Sequence, residues 1–251
     1  SAAEVAMPTG PVTLSKAWIE MLHRYFAMAV GFLCIAIVIW AWLKKNYINL
    51  KIRILTGFIF GLICLQGAFG AWTVTLKLQP IIVTMHLMLG IAFLASLSYL
   101  SSLTAERSST FKVQRIIVKG RNAWIWFGLL VLCVQIFLGA WVSTNYAVLA
   151  CDDFPLCHGE LIPPMDFQSG FSLWRELGKS PDGQFLTIEA LRAIHWVHRL
   201  GALVVLSILF FVSYKTLKNA MTIGHPKLRH WAFALFGLCL MQLLTGMSKL
   251  D

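Results

Sequence analysis

Six long apolar runs separated by polar breaks set the pattern of this 251-residue chain: Ile19 to Leu43, Ile54 to Leu76, Ile81 to Leu103, Ala123 to Tyr146, Leu191 to Leu217 and Trp231 to Lys249. An α-helix needs about 20 apolar residues to cross the hydrocarbon core of a bilayer. Each run therefore predicts one spanning helix, and together they predict an all-α integral membrane bundle with no soluble domain. Composition agrees, with 58% hydrophobic residues and a mean hydropathy of +0.73.

The net charge of +10 raises the question of nucleic acid, yet no stretch interleaves basic and aromatic residues as a nucleic-acid surface does. Thirteen of the 21 Lys and Arg instead fall in alternate loops. They are Lys44, Lys45, Lys51 and Arg53, then Arg107, Lys112, Arg115, Lys119 and Arg121, then Lys215, Lys218, Lys227 and Arg229. Cytoplasmic loops carry such an excess. These three loops are expected inside, with Glu4 and the loop from Asn145 to Ala190 outside.

Two runs open on related sequences, Glu20-Met21-Leu22-His23-Arg24 and His195-Trp196-Val197-His198-Arg199. Imidazole and guanidinium are costly in hydrocarbon and, where they occur there, face a bundle interior or a pathway. By the loop charges both pairs lie near the outer ends of their helices, as does His86, shortly after Pro80. Cys151 and Cys157, in Cys151-Asp152-Asp153-Phe154-Pro155-Leu156-Cys157, fall on the same side. An oxidising compartment allows them a disulfide, and a ring this small could be redox-active; two free loop thiols are the alternative. Cys34, Cys64, Cys133 and Cys239 sit in apolar runs and read as packing residues. His158, His225 and His230 lie in loops or at a helix start and read as solvated, while His195 is either interfacial or a support for His198.

Gln66-x-x-x-Gly70-Ala71-Trp72 and Gln135-x-x-x-Gly139-Ala140-Trp141 repeat one pattern, and Gln242 with Gly246 gives a shorter third copy. The Gly one turn after each Gln reads as a close helix-packing contact. His23 precedes Gln66 by 43 residues and His198 precedes Gln242 by 44, so the chain divides into two related parts, 1–122 and 123–251. His86 follows Gln66 by 20 residues, which puts its expected counterpart beyond Asp251, and a further helix is expected before Ser1. The pattern is that of six helices from an eight-helix protein made of two pseudo-twofold four-helix bundle halves.

The Glu-x-x-His-Arg opening, His86 in Met85-His86-Leu87, the two Gln-x-x-x-Gly-Ala-Trp helices, His198-Arg199 and the Cys-Asp-Asp-Phe-Pro-Leu-Cys loop together resemble heme A synthase, of the bacterial type with paired cysteines in outer loops. The resemblance implies an enzyme of the bacterial inner (plasma) membrane that oxidises the methyl group of heme O to the formyl group of heme A, for cytochrome c oxidase assembly. It implies that His23 and His86 face the substrate heme and that His198 ligates a heme b. It further implies a heme O synthase as substrate donor and an electron acceptor of unspecified identity; a homo-oligomer is compatible with it.

The chemistry of the residues is consistent with this. Neutral imidazoles on facing helices can hold a porphyrin edge-on within a four-helix bundle. Arg24 and Arg199 follow both candidate ligands, so pairing with heme propionates is one reading and snorkelling to outer headgroups the other. Glu20 has His195 as its counterpart, and an acid in one half alone points to chemistry in that half. Glu20 is thus the catalytic candidate, against a simple surface pair with Arg24.

Glu-x-x-His on a helix also marks carboxylate-bridged di-iron sites, but those need two such motifs and further inward acids. Glu20 is the only acid placed in a helix beside a histidine. A non-catalytic b-type cytochrome passing electrons between quinones and a partner needs the histidines and not Glu20, and stands as the alternative. A transporter calls for helices broken at mid-membrane, and no clear Gly or Pro break occurs there.

Overall fold

The computed structural model describes residues 14–108, 122–151, 153, 156–224 and 226–247. Glu4, His225, the basic stretch from Lys112 to Arg121 and Ser248 to Asp251 lie outside them. In chain order the helices are α1 (Leu14–Leu43), α2 (Leu50–Thr75), α3 (Pro80–Ser108), α4 (Asn122–Thr144), the short α5 (Phe167–Gly170), α6 (Ile188–Thr222) and α7 (Pro226–Met247), with a 3-10 turn at Ala147–Ala150 after α4. The protein is an all-α, multi-pass membrane protein.

Five described helices, α1 to α4 and α6, are long and apolar enough to cross a membrane. Six spans were expected. The sixth segment does form α7, and the expected span from Trp231 to Lys249 is described only as far as Met247. Side chains such as Phe32, Leu94, Trp126 and Leu130 point away from protein, as lipid-facing residues do. Inside hydrocarbon every polar group needs an internal partner; several hydroxyls of these helices find one on their own backbone, while Ser213 donates to Ala232 O of α7 at 2.7 Å. Ser96, Ser98 and Ser207 donate to the carbonyls of Ala92, Leu94 and Leu203 at 2.8, 2.9 and 2.8 Å.

The chain packs as two compact units. One holds α1, α2 as far as Gly67 and α3 from Ile91; its core is Cys34, Ile52, Ile59 and Leu100, with Val30, Leu55 and Leu97 against them. Cys34 is thus a packing residue, as expected.

The other unit holds Ala68–Gly90 and everything from α4 onward. Here α2 turns into α3 through Lys77 and Leu78, both at positive φ, and the Leu78 amide closes the helix end by donating to Thr73 O at 2.8 Å. The loop after α4 is anchored by a buried polar node. Trp141, fully buried, donates its indole N–H to Gly170 O at 3.0 Å, and Asn145 donates to Trp141 O at 2.7 Å. Arg175, only 4% exposed, donates to Asn145 Oδ1 and to Lys179 O and lies over the Trp141 ring. Burial pulls its guanidinium below the usual value. Gly170 is needed there, because a Cβ would come 2.7 Å from Ala190 O. Thr187 then caps α6, accepting from the Ala190 amide.

Candidate functional site

Helix α4 grips His198 of α6 at two levels. An ideal Cβ on Gly139 would lie 3.1 Å from His198 Cε1, so any larger residue would push the imidazole from this place by a few tenths of an ångström. One turn earlier, Gln135 Nε2 lies 3.0 Å from His198 Nδ1 and 3.0 Å from His198 O. The ring is therefore held by its edge and by one nitrogen.

The same arrangement recurs between α2 and α3, where a Cβ on Gly70 would lie 3.2 Å from His86 Cε1. This corrects the sequence reading of both glycines. Neither serves close backbone packing of two helices; each makes room for a histidine ring from the following long helix. The signal was present in the sequence as the repeated Gln-x-x-x-Gly. Nothing in one helix, however, announces which side chain of another will fill the space.

Arg199, next to His198, reaches into the loop between α4 and α6. Its Nη1 donates to Asp153 O at 2.9 Å and Leu156 O at 2.8 Å, its Nη2 to Cys151 O at 3.4 Å, and its Nε to His195 Nε2 at 3.3 Å. His195 is buried, which favours the supporting reading over the interfacial one. The loop itself is closed by a Cys151–Cys157 disulfide, as the outer-side reading allowed. His158, expected to be solvated, is exposed but tied in, its Nε2 3.1 Å from Ala150 O.

Asp153 was not singled out from sequence, yet its carboxylate caps the loop from inside, accepting from the amides of His158 at 2.6 Å and Gly159 at 2.9 Å. The Gly159 amide, followed by that of His158, holds this carboxyl below the usual carboxylate range. A depressed folded value means that its contribution is complete above about pH 4, the unfolded value, and is lost as pH falls through the folded one. Protection factors of the His158 and Gly159 amides are expected to fall on acidification through this range. In Asp153→Asn they should be low and flat throughout.

In α1, Glu20 and Arg24 form an ion pair at 2.5 Å with more than half of each side chain exposed, and His23 is exposed between them. His23 and Glu20 lie in one packing unit and His86 and His198 in the other. Among the described residues no group of three or more His, Cys, Asp or Glu gathers to hold a bare ion. The donors on offer are single, half-buried imidazoles backed by glycine, a donor set that fits axial ligation of heme iron.

Comparison with known proteins accords with that chemistry. The COX15-CtaA family, described as cytochrome oxidase assembly protein, matches residues 2–250. A heme A synthase of Shewanella oneidensis is 34% identical over 99% of this chain and 72% of its own length. Those of Halalkalibacterium halodurans and Shouchella clausii are 29% and 33% identical, over 77% and 58% of this chain and 62% and 48% of their own lengths. The chain belongs to the COX15-CtaA family of cytochrome oxidase assembly proteins.

Proposed function

We propose that the protein is a heme A synthase, an oxidoreductase that converts the methyl group of heme O to the formyl group of heme A. The observation that carries this is the doubled arrangement of an imidazole seated on a glycine, His86 on Gly70 and His198 on Gly139, in a family whose relatives bear that name. His198 is assigned to a heme b and His23 and His86 to the substrate heme. Arg24 and Arg199 are the cations beside these histidines proposed to meet propionates, Arg199 exchanging carbonyls of the Cys151–Cys157 loop for the carboxylate. Heme b, when bound, supplies one-electron transfer.

The chain's own residues hold the rest of the chemistry. With water as the oxygen source the conversion balances as R–CH3 + H2O → R–CHO + 4 H+ + 4 e−, the electrons passing to an acceptor. Glu20, one helical turn before His23 and so on the same face, is the group proposed to accept a proton or to stabilise positive charge developing at that carbon. Cys151 and Cys157 are proposed as a redox-active pair on the outer side of the bacterial inner membrane, with a heme O synthase as the source of substrate.

The test is an optical spectrum and extracted-heme analysis of the purified protein. Heme b together with heme O or heme A is the expected result. Heme b alone, even after co-expression with a heme O synthase, would leave only the electron-carrying cytochrome.

A further inference from the structure

We propose that Gln135 is a positioning residue for His198: its amide selects which ring nitrogen carries the proton, and turns over when iron takes the other nitrogen. The inference rests on the heme b assignment above, but it also makes a claim about the protein without heme.

The amide is confined. Its Nε2 faces both His198 Nδ1 and His198 O, and its Oε1 is buried with no hydrogen-bond partner among the described residues. On the far side stands Gly201, where a Cβ would come 2.2 Å from that oxygen. No larger residue at 201 leaves the amide in place. With Gly139 against the ring edge, the imidazole has little freedom to rotate away from Gln135.

In this orientation the amide N–H donates to Nδ1, so the histidine proton sits on Nε2. That tautomer offers iron no lone pair at Nε2. Iron at Nε2 requires the proton on Nδ1, and a proton on Nδ1 requires an acceptor opposite it; the hydrogen bond at one ring nitrogen sets the role of the other. Glutamine carries donor and acceptor at the same distance along its side chain, and rotation of the terminal amide exchanges them without changing its shape. After the exchange Oε1 accepts from Nδ1–H and gains the partner it lacks, while His198 O loses its donor and faces Oε1, and the amide N–H takes the buried place beside Gly201, a cost that ligation must offset. Ring placement is the same in both states; only the proton and the amide move.

The expected results separate this from a packing role. In 15N spectra of the apoprotein, the His198 ring carries its proton on Nε2 in the wild type and loses that preference in Gln135→Met, which keeps length but not hydrogen bonding. Hemin titration of Gln135→Met gives an affinity reduced roughly 10- to 100-fold. Gln135→Glu, an acceptor without a donor, restores heme retention. It also lowers the midpoint potential, a tenfold preference for ferric heme being about 59 mV for one electron. A wild-type apoprotein with its proton on Nδ1 would overturn the exchange. Wild-type hemin affinity in Gln135→Met, or an unmoved potential in Gln135→Glu, would overturn the positioning role. If the wild type binds no heme b, the proposed function fails instead, and the 15N comparison still decides whether Gln135 sets the tautomer.

Discussion

Under the proposed function, Glu20→Gln is expected to retain heme b and to make heme A at a rate lowered roughly 100- to 10,000-fold, the range over which positioned acid–base groups act. The structural cost of the change is small, which is what makes the experiment informative. Glu20 meets Arg24 at 2.5 Å in an i,i+4 pair, with side-chain exposures of 60% and 53%. Pairs so exposed contribute about 0–1 kcal/mol, and glutamine can still accept from the guanidinium. A loss of product with heme b intact therefore reports chemistry at position 20 and not a damaged fold. Heme O, or a hydroxylated form of it, should accumulate in the extracted heme. Heme A at the wild-type level would return Glu20 to a surface partner of Arg24.

The second large effect is at Arg199. Replacing it by leucine should speed reduction of the Cys151–Cys157 bridge by dithiothreitol about thirtyfold, corresponding to ~2 kcal/mol of lost local stability. One guanidinium here spans carbonyls at the start, middle and end of the disulfide ring, those of Cys151, Asp153 and Leu156. A hydrogen bond from a charged donor contributes about 1.5–3 kcal/mol, less where water competes; these three are only partly buried, so together they fall near the lower figure, and removing all three at once leaves the ring free to open. Lysine cannot present a planar fork, so Arg199→Lys should fall between the two. The rate is read by trapping free thiols with maleimide over time. If Arg199→Leu is reduced no faster than the wild type, the guanidinium is not what orders the loop. Because Arg199 directly follows His198, the same variants, compared with Cys151→Ser/Cys157→Ser for turnover, report whether the redox role proposed for the pair needs the ordered loop.

The helices were legible because a bilayer imposes one rule on every residue of a span, and that rule is written locally: long apolar runs became α1 to α4 and α6. The cysteine pair was legible for the same kind of reason, since a separation of only six positions lets a short loop bring Cys151 and Cys157 together. His86 and His198 stood out as polar groups out of place. What escaped was pairing across distance. Gln135 meets His198, Arg199 meets Asp153, and Trp141 meets Gly170 across intervening turns and loops whose path no periodicity encodes. Gly70 and Gly139 were recognised as special yet assigned to backbone packing, because an empty place in one helix carries no mark of the side chain that fills it. Arg175 and Asn145 were missed altogether, lying in or beside an aperiodic loop whose order comes from burial.

The two glycine seats differ in one respect that bears on biogenesis. Gly70 and His86 belong to neighbouring helices joined by the tight turn through Lys77 and Leu78, so the first seat closes as soon as a single hairpin has left the translocon. Gly139 and His198 are separated by the whole outer loop with its disulfide and its Arg175 node. On the proposed outer placement of that loop, the second seat waits until the loop has crossed, oxidised and settled. A host deficient in thiol oxidation would therefore yield chains whose early seat is complete and whose late seat is not.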